Sequence, residues 1–77
     1  MVDAFVLIQA EVGKGTKVAQ DISGIDGVHS ADVVTGPYDV IARVEADSIR
    51  DLGTLVVAKI QALDGVTRTL TCPILQL

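Results

Sequence analysis

The tetrapeptide Ile25-Asp26-Gly27-Val28 returns as Leu63-Asp64-Gly65-Val66, 38 residues later in a chain of 77. An echo at about half the chain length divides the sequence into two similar halves and points to one structural unit used twice. Each copy follows a segment of helical spacing and precedes one of strand spacing. Asp-Gly suits the end of a helix, because glycine tolerates the left-handed backbone that closes it. The flanking Ile25, Val28, Leu63 and Val66 pin both turns to a core.

Each half reads strand, helix, strand. In the first, Ala4, Val6, Ile8, Ala10 and Val12 alternate with Phe5, Leu7, Gln9 and Glu11, predicting a strand over residues 2–12. Gly13 to Thr16 interrupts it. Val18, Ile22 and Ile25 recur at helical spacing and predict a helix over residues 15–23, followed by a Val-rich strand over 29–35. Gly36-Pro37 opens the second half as a strong turn pair. A strand over 39–46 sets Val40, Ala42 and Val44 against Ile41, Arg43 and Glu45. Asp47 or Ser48 caps the next helix, with Ser48 and Asp51 at capping-box spacing. Ile49, Leu52, Val56, Ile60 and Leu63 form its apolar stripe. Gly53 costs that helix about 1 kcal/mol relative to Ala unless close packing requires it. The last strand, over 67–75, sets Thr67, Thr69 and Thr71 against Arg68, Leu70 and Cys72, and Pro73 marks it as an edge.

The order βαββαβ with right-handed crossovers gives an α+β, ferredoxin-like domain: a four-stranded antiparallel sheet with two helices on one face. At this length it is a single domain over 1–77, because a second core would not fit. The helices leave the other sheet face uncovered. That face is expected to carry Phe5, Leu7, Ala31, Val33, Ile41 and the threonine column. It is too apolar for water, in a chain that is 49% hydrophobic with a mean hydropathy of +0.50. A second copy packed against it, in a dimeric α+β barrel type of assembly, is the simplest cover. Phe5, Leu7, Val33 and Ile41 are the expected dimer contacts.

Charge and composition exclude several functions. Ten acids against six scattered bases give a net charge of -4, and Trp is absent, so no direct nucleic-acid binding is expected. The longest uninterrupted apolar run is Ala4 to Ile8, too short to span a membrane. Asp3 and the lack of a basic region argue against a signal peptide. The lone Cys72 makes no intramolecular disulfide, which fits a reducing, cytoplasmic setting, and reads as a small buried hydrophobe. One His and one Cys do not build a zinc site within one chain, and no metal or cofactor is expected. Gly13-Lys14-Gly15-Thr16 misses the P-loop pattern, with Ile8 where the first glycine is required, and reads as a turn. His29 has no nucleophile or orienting acid in a recognisable pattern. It reads as a structural residue at a strand start, and no catalytic residue is expected.

The segment Val34-Thr35-Gly36-Pro37-Tyr38-Asp39-Val40 joins the halves. A tight turn accounts for Gly36 and Pro37 but not for the chain's only Tyr beside an Asp. A carboxylate accepts hydrogen bonds from an ammonium group, and turn N–H groups donate to a carboxylate. Together they suit the two ends of an amino-acid zwitterion. On pattern alone Asp39 reads first as a residue that satisfies turn backbone, because Asp is common in turns.

The whole chain resembles the ligand-sensing RAM domain of Lrp/AsnC-family transcription regulators. The matching residues are Ala4-Phe5-Val6-Leu7-Ile8, the two Asp-Gly-Val turns, the closing Thr67-Arg68-Thr69-Leu70-Thr71, and above all the Val34 to Val40 hairpin. The resemblance implies dimers built through the sheets, higher assembly of those dimers, and effector amino acids bound between dimers near the hairpin. Family regulators carry an N-terminal helix-turn-helix domain, whereas this chain starts at the sensing strand. It is therefore expected to be a stand-alone form, co-assembling with full-length relatives or sensing on its own.

On that resemblance, Asp39 takes the α-amino group, Gly36 and neighbouring backbone meet the α-carboxylate, and Thr35 and Tyr38 line the pocket. Thr69 and Thr71 add hydroxyl contacts from this or a neighbouring subunit. Two other readings compete: a small dimeric α+β barrel enzyme of monooxygenase type, and an assembly module without ligand. The enzyme would want polar or aromatic residues inside, where this chain places Val, Ile, Ala and Leu.

Overall fold

The alternation of the first strand puts Ala4, Val6 and Ile8 on one face, and all three are fully buried. The computed structural model describes residues 1–77: β1 (Val2–Ala10), α1 (Gly15–Ser23), β2 (Val28–Val33), β3 (Val40–Ala46), a second helix α2 over 49–61, and β4 (Val66–Pro73). The strands pair antiparallel in the order β2-β3-β1-β4, the ferredoxin-like α+β arrangement. β1 and β3 are central, and β4, which carries Pro73, is an edge. Val18, Ala19 and Ile22 of α1 and Leu52, Val56, Val57 and Ile60 of α2 close over Ala4, Val6, Ile8, Val40, Ala42 and Val44 in one core. Burying each of these larger aliphatic side chains contributes about 1.5–3 kcal/mol. No helix is long and apolar enough to cross a membrane.

The two Asp-Gly turns lock the halves into each other. Gly27 and Gly65 have φ of +93° and +95°. A Cβ on Gly27 would stand 2.8 Å from the Glu45 carbonyl and 2.9 Å from Val56 of α2. A Cβ on Gly65 would stand 3.1 Å from Lys14 and 3.2 Å from Val18 of α1. Val18 and Val56 are themselves 38 residues apart. The backbone repeats the exchange, with Glu45 N–H donating to Gly27 (2.7 Å) and Glu11 N–H to Gly65 (2.8 Å). Each turn thus packs on the helix of the other half.

Helix α2 departs from the expected regular helix. It is α-helical over Ile49–Asp51, π-helical over Leu52–Val57 and α-helical again over Ala58–Gln61. Ser48 caps it, accepting from Asp51 N–H at 3.1 Å. The cause of the π stretch lies in the spacing of the stripe. Leu52, Val56 and Ile60 recur every four residues, and on a 3.6-residue turn such a row drifts around the axis. The wider π turn holds Leu52, Val56, Val57 and Ile60 on the core side. Ile49 is left exposed, and Gly53 faces open space, so close packing does not require it.

The register corrects the expected sheet faces. Val33 lies opposite Val40 and Ala31 opposite Ala42, so both point to the helix side. Thr69 and Thr71 lie opposite Ile8 and Val6, also on the helix side. Val33 is therefore not a residue of the open face, and neither are Thr69 and Thr71. Alternation groups residues onto faces, but only pairing with a buried strand says which face is covered. The open face instead carries a row Asp32–Ile41–Leu7–Leu70 and a second row Ser30–Arg43–Phe5–Cys72. Cys72 is exposed there rather than buried. β1 stops at Ala10 after a register shift at Gln9/Ala10, which leaves Val12 wholly exposed in the following turn rather than on the inner face.

Candidate functional site at the β2–β3 hairpin

The hairpin between β2 and β3 is fastened to the end of β1 by three bonds. Asp39 N–H donates to the Ile8 carbonyl at 2.9 Å. Ala10 N–H donates to Asp39 Oδ2 at 2.8 Å. Gln9 Nε2 donates to the Pro37 carbonyl at 3.0 Å. A fourth bond, from Val34 N–H to the Asp39 carbonyl at 2.9 Å, closes the hairpin on itself. Asp39 therefore does satisfy backbone, but with one carboxylate oxygen. Oδ1 and the Tyr38 hydroxyl make no hydrogen bond within the chain. Both residues are half-buried, while Thr35, Gly36 and Pro37 are exposed. Gly36, at φ +141°, has open space where a side chain would stand, so its backbone can be approached closely.

The loop before α1 borders this end. A Cβ on Gly15, the first residue of α1, would lie 4.0 Å from Asp39 Cβ. Lys14 is committed elsewhere: its ammonium is 2.9 Å from Glu11 and 3.3 Å from Asp64. Hydrogen bonds to Glu11 and then Asp64 raise its pKa above the ordinary lysine value. Lys17 is raised likewise, by its hydrogen bond to Asp21. Neither lysine stands free to hold a phosphate, in keeping with a turn at Gly13 to Thr16.

Thr35, Gly36, Tyr38 and Asp39 come together at one end of the sheet. Thr69 and Thr71 do not join them within one chain. Strand β1 separates β4 from β3, so they stand two strand spacings away, roughly 10 Å. The Thr69 hydroxyl accepts from Gln61 of α2 at 2.9 Å. Sequence reasoning missed Gln9, whose signal was an amide on the outward side of an otherwise apolar strand. The chain's one cleft, of about 410 Å³, is at the opposite end of the sheet, between Asp26, Asp47, Asp51, Leu55, Val56 and Lys59. The hairpin by itself encloses no cleft.

The profile of the Lrp/AsnC ligand binding domain matches residues 3–77. The uncharacterized HTH-type transcriptional regulator PF0250 of Pyrococcus furiosus is 34% identical over 71 residues, covering 88% of this chain and 47% of that protein. The chain spans about half the length of the curated relatives it matches. TTHA0845 from Thermus thermophilus superposes with a TM-score of 0.91 at 32% identity, over 100% of this chain and 96% of that one. AsnC of E. coli superposes with a TM-score of 0.88 at 27% identity, over 99% of this chain and 52% of that one.

Proposed function

The chain belongs to the family of Lrp/AsnC ligand-binding domains, and from that premise we propose that it is an amino-acid-sensing, oligomerising regulatory module without catalysis of its own. The observation that carries this reading is the hairpin's division of labour. Three bonds hold it against β1, while Asp39 Oδ1, the Tyr38 hydroxyl and the Gly36 backbone make no hydrogen bond within the chain. Asp39 Oδ1 takes the α-ammonium, turn N–H groups around Gly36 take the α-carboxylate, and Thr35 and Tyr38 wall the side chain. A second copy completes the enclosure, and Thr69 and Thr71 enter only from that copy.

The open face supports oligomerisation. Phe5, Leu7, Ile41 and Leu70 form a continuous apolar centre across three strands. A dimer formed there assembles further, alone or with full-length relatives that carry the DNA-binding half. On this reading the chain works in the cytoplasm.

A thermal-shift screen of the untagged protein against the twenty amino acids tests the reading. A ligand at 100 times its dissociation constant should stabilise the fold by about 2.7 kcal/mol. Asp39→Asn keeps a carbonyl for Ala10 N–H but removes the charge. It should weaken the amino acid found by about tenfold to a hundredfold, because a charge-assisted bond is worth roughly 1.5–3 kcal/mol. A folded Asp39→Asn protein of unchanged affinity overturns the role given to Asp39.

A further inference from the structure

Three polar side chains converge on the open face at the end opposite the hairpin. Asp3 of β1 and Glu45 of β3 are cross-strand partners there. β2 supplies the third. Between Val28, opposite Val44, and Ser30, opposite Arg43, the pairing slips, and His29 is the extra residue. Such a bulge re-aims a side chain, and His29 Nε2 comes to 2.5 Å from Glu45 Oε1. The imidazole nitrogen and one oxygen from each carboxylate all lie within 4.8 Å of one another.

We propose that Asp3, His29 and Glu45 form a binding site for one zinc-class divalent transition-metal ion. Counting only His and Cys in the sequence excluded zinc, but one imidazole and two carboxylates are also a zinc donor set. Imidazole favours zinc and its transition-metal neighbours over calcium or magnesium, which want oxygen alone. Metal–ligand distances of 2.0–2.2 Å in tetrahedral geometry set the donors roughly 3.3–3.5 Å apart. The His29–Glu45 contact at 2.5 Å would open to that separation, and the wider pairs, all within 4.8 Å, would close to it. The ion would sit between His29 Nε2 and Glu45 Oε1 in place of their direct contact. The nearby cation is Arg43, 3.9 Å from Asp3 Oδ2 and stacked over Phe5 at 5.8 Å from the ring centroid. In the single chain the His29 side chain is 51% exposed and those of Glu45 and Asp3 about a quarter, at the end of the open face and away from its apolar centre at Leu7 and Ile41, which leaves room for a water as fourth ligand.

His29 is the only histidine, so its imidazole NMR signals report on this site without ambiguity. In the untagged full chain they should shift with added zinc and saturate at one equivalent. By calorimetry, His29→Gln and Glu45→Gln should each weaken zinc about tenfold or more, in line with lost metal-site partners. Cys72→Ser should change nothing. Cobalt in place of zinc should give visible d–d bands without sulfur charge-transfer absorption. Imidazole signals that stay put under excess zinc overturn the proposal, and so does zinc binding lost with Cys72→Ser or retained in full by folded His29→Gln. None of these readouts depends on whether an amino acid binds at the hairpin.

Discussion

Asparagine at position 39 would still present a carbonyl to Ala10 N–H, whereas alanine would leave that part-buried donor without its partner. Asp39→Ala should therefore lower stability by about 1–3 kcal/mol, the cost of an unsatisfied buried group, while Asp39→Asn changes it little. Urea unfolding of the two variants separates them, and equal stabilities would show that the Ala10 bond carries no weight. The sequence offered both duties of Asp39, turn backbone and ligand charge. It could not say that backbone takes only Oδ2, because that depends on where β1 ends. The same kind of gap explains Cys72 and His29. A lone thiol on a strand reads as core until pairing puts it opposite exposed Phe5. A histidine reads as partnerless when its acids lie 26 residues before it and 16 after, on other strands.

At the scale of elements, periodicity was a good guide to what forms and a poor one to phase. The helix over 15–23 and the turns at Gly27, Gly36 and Gly65 were legible because each has a local cause. The faces of β2 and β4 were not, since Val33 and Thr69 are placed by what lies opposite them. The π stretch of α2 was hidden for a related reason: it answers the packing of Leu52, Val56 and Ile60 against the sheet. The two Asp-Gly turns, though equivalent by sequence, should respond unequally to substitution. Alanine at either adopts a disfavoured φ, at roughly 1–3 kcal/mol. At Gly27 the new methyl also meets the Glu45 carbonyl, which is backbone, whereas at Gly65 its nearest neighbour is the flexible Lys14 side chain. Gly27→Ala should thus lower the melting temperature more than Gly65→Ala, measurable by calorimetry, and the reverse order would mean that β3 yields more readily than Lys14 and Val18.

For the molecule as a whole, the sequence foretold an uncovered apolar face and named three of its residues, Phe5, Leu7 and Ile41. It missed Leu70, which lies opposite Leu7. Light scattering at low micromolar concentration should give a mass at least about twice 8.0 kDa. Leu7→Asp should reduce it toward the single chain, because a charge at the centre of a buried face is left unpaired. A wild-type protein that scatters as an 8.0 kDa particle would sink the sheet-to-sheet argument.

The exchange of turns between the halves has a consequence for how the chain can come apart. Gly27 rests on a helix that follows the hairpin, and Gly65 on a helix that precedes it. β1 pairs on one side with β3 and on the other with β4, both from the second half. Neither half therefore possesses a core of its own, and at 36 and 41 residues both stand near the size of about 40 below which a chain rarely folds alone. A protease that nicked the exposed Gly36-Pro37 tip would sever the covalent link and leave the noncovalent one whole. The two pieces would behave as a complementing pair, each a template for the other and each a random coil without it.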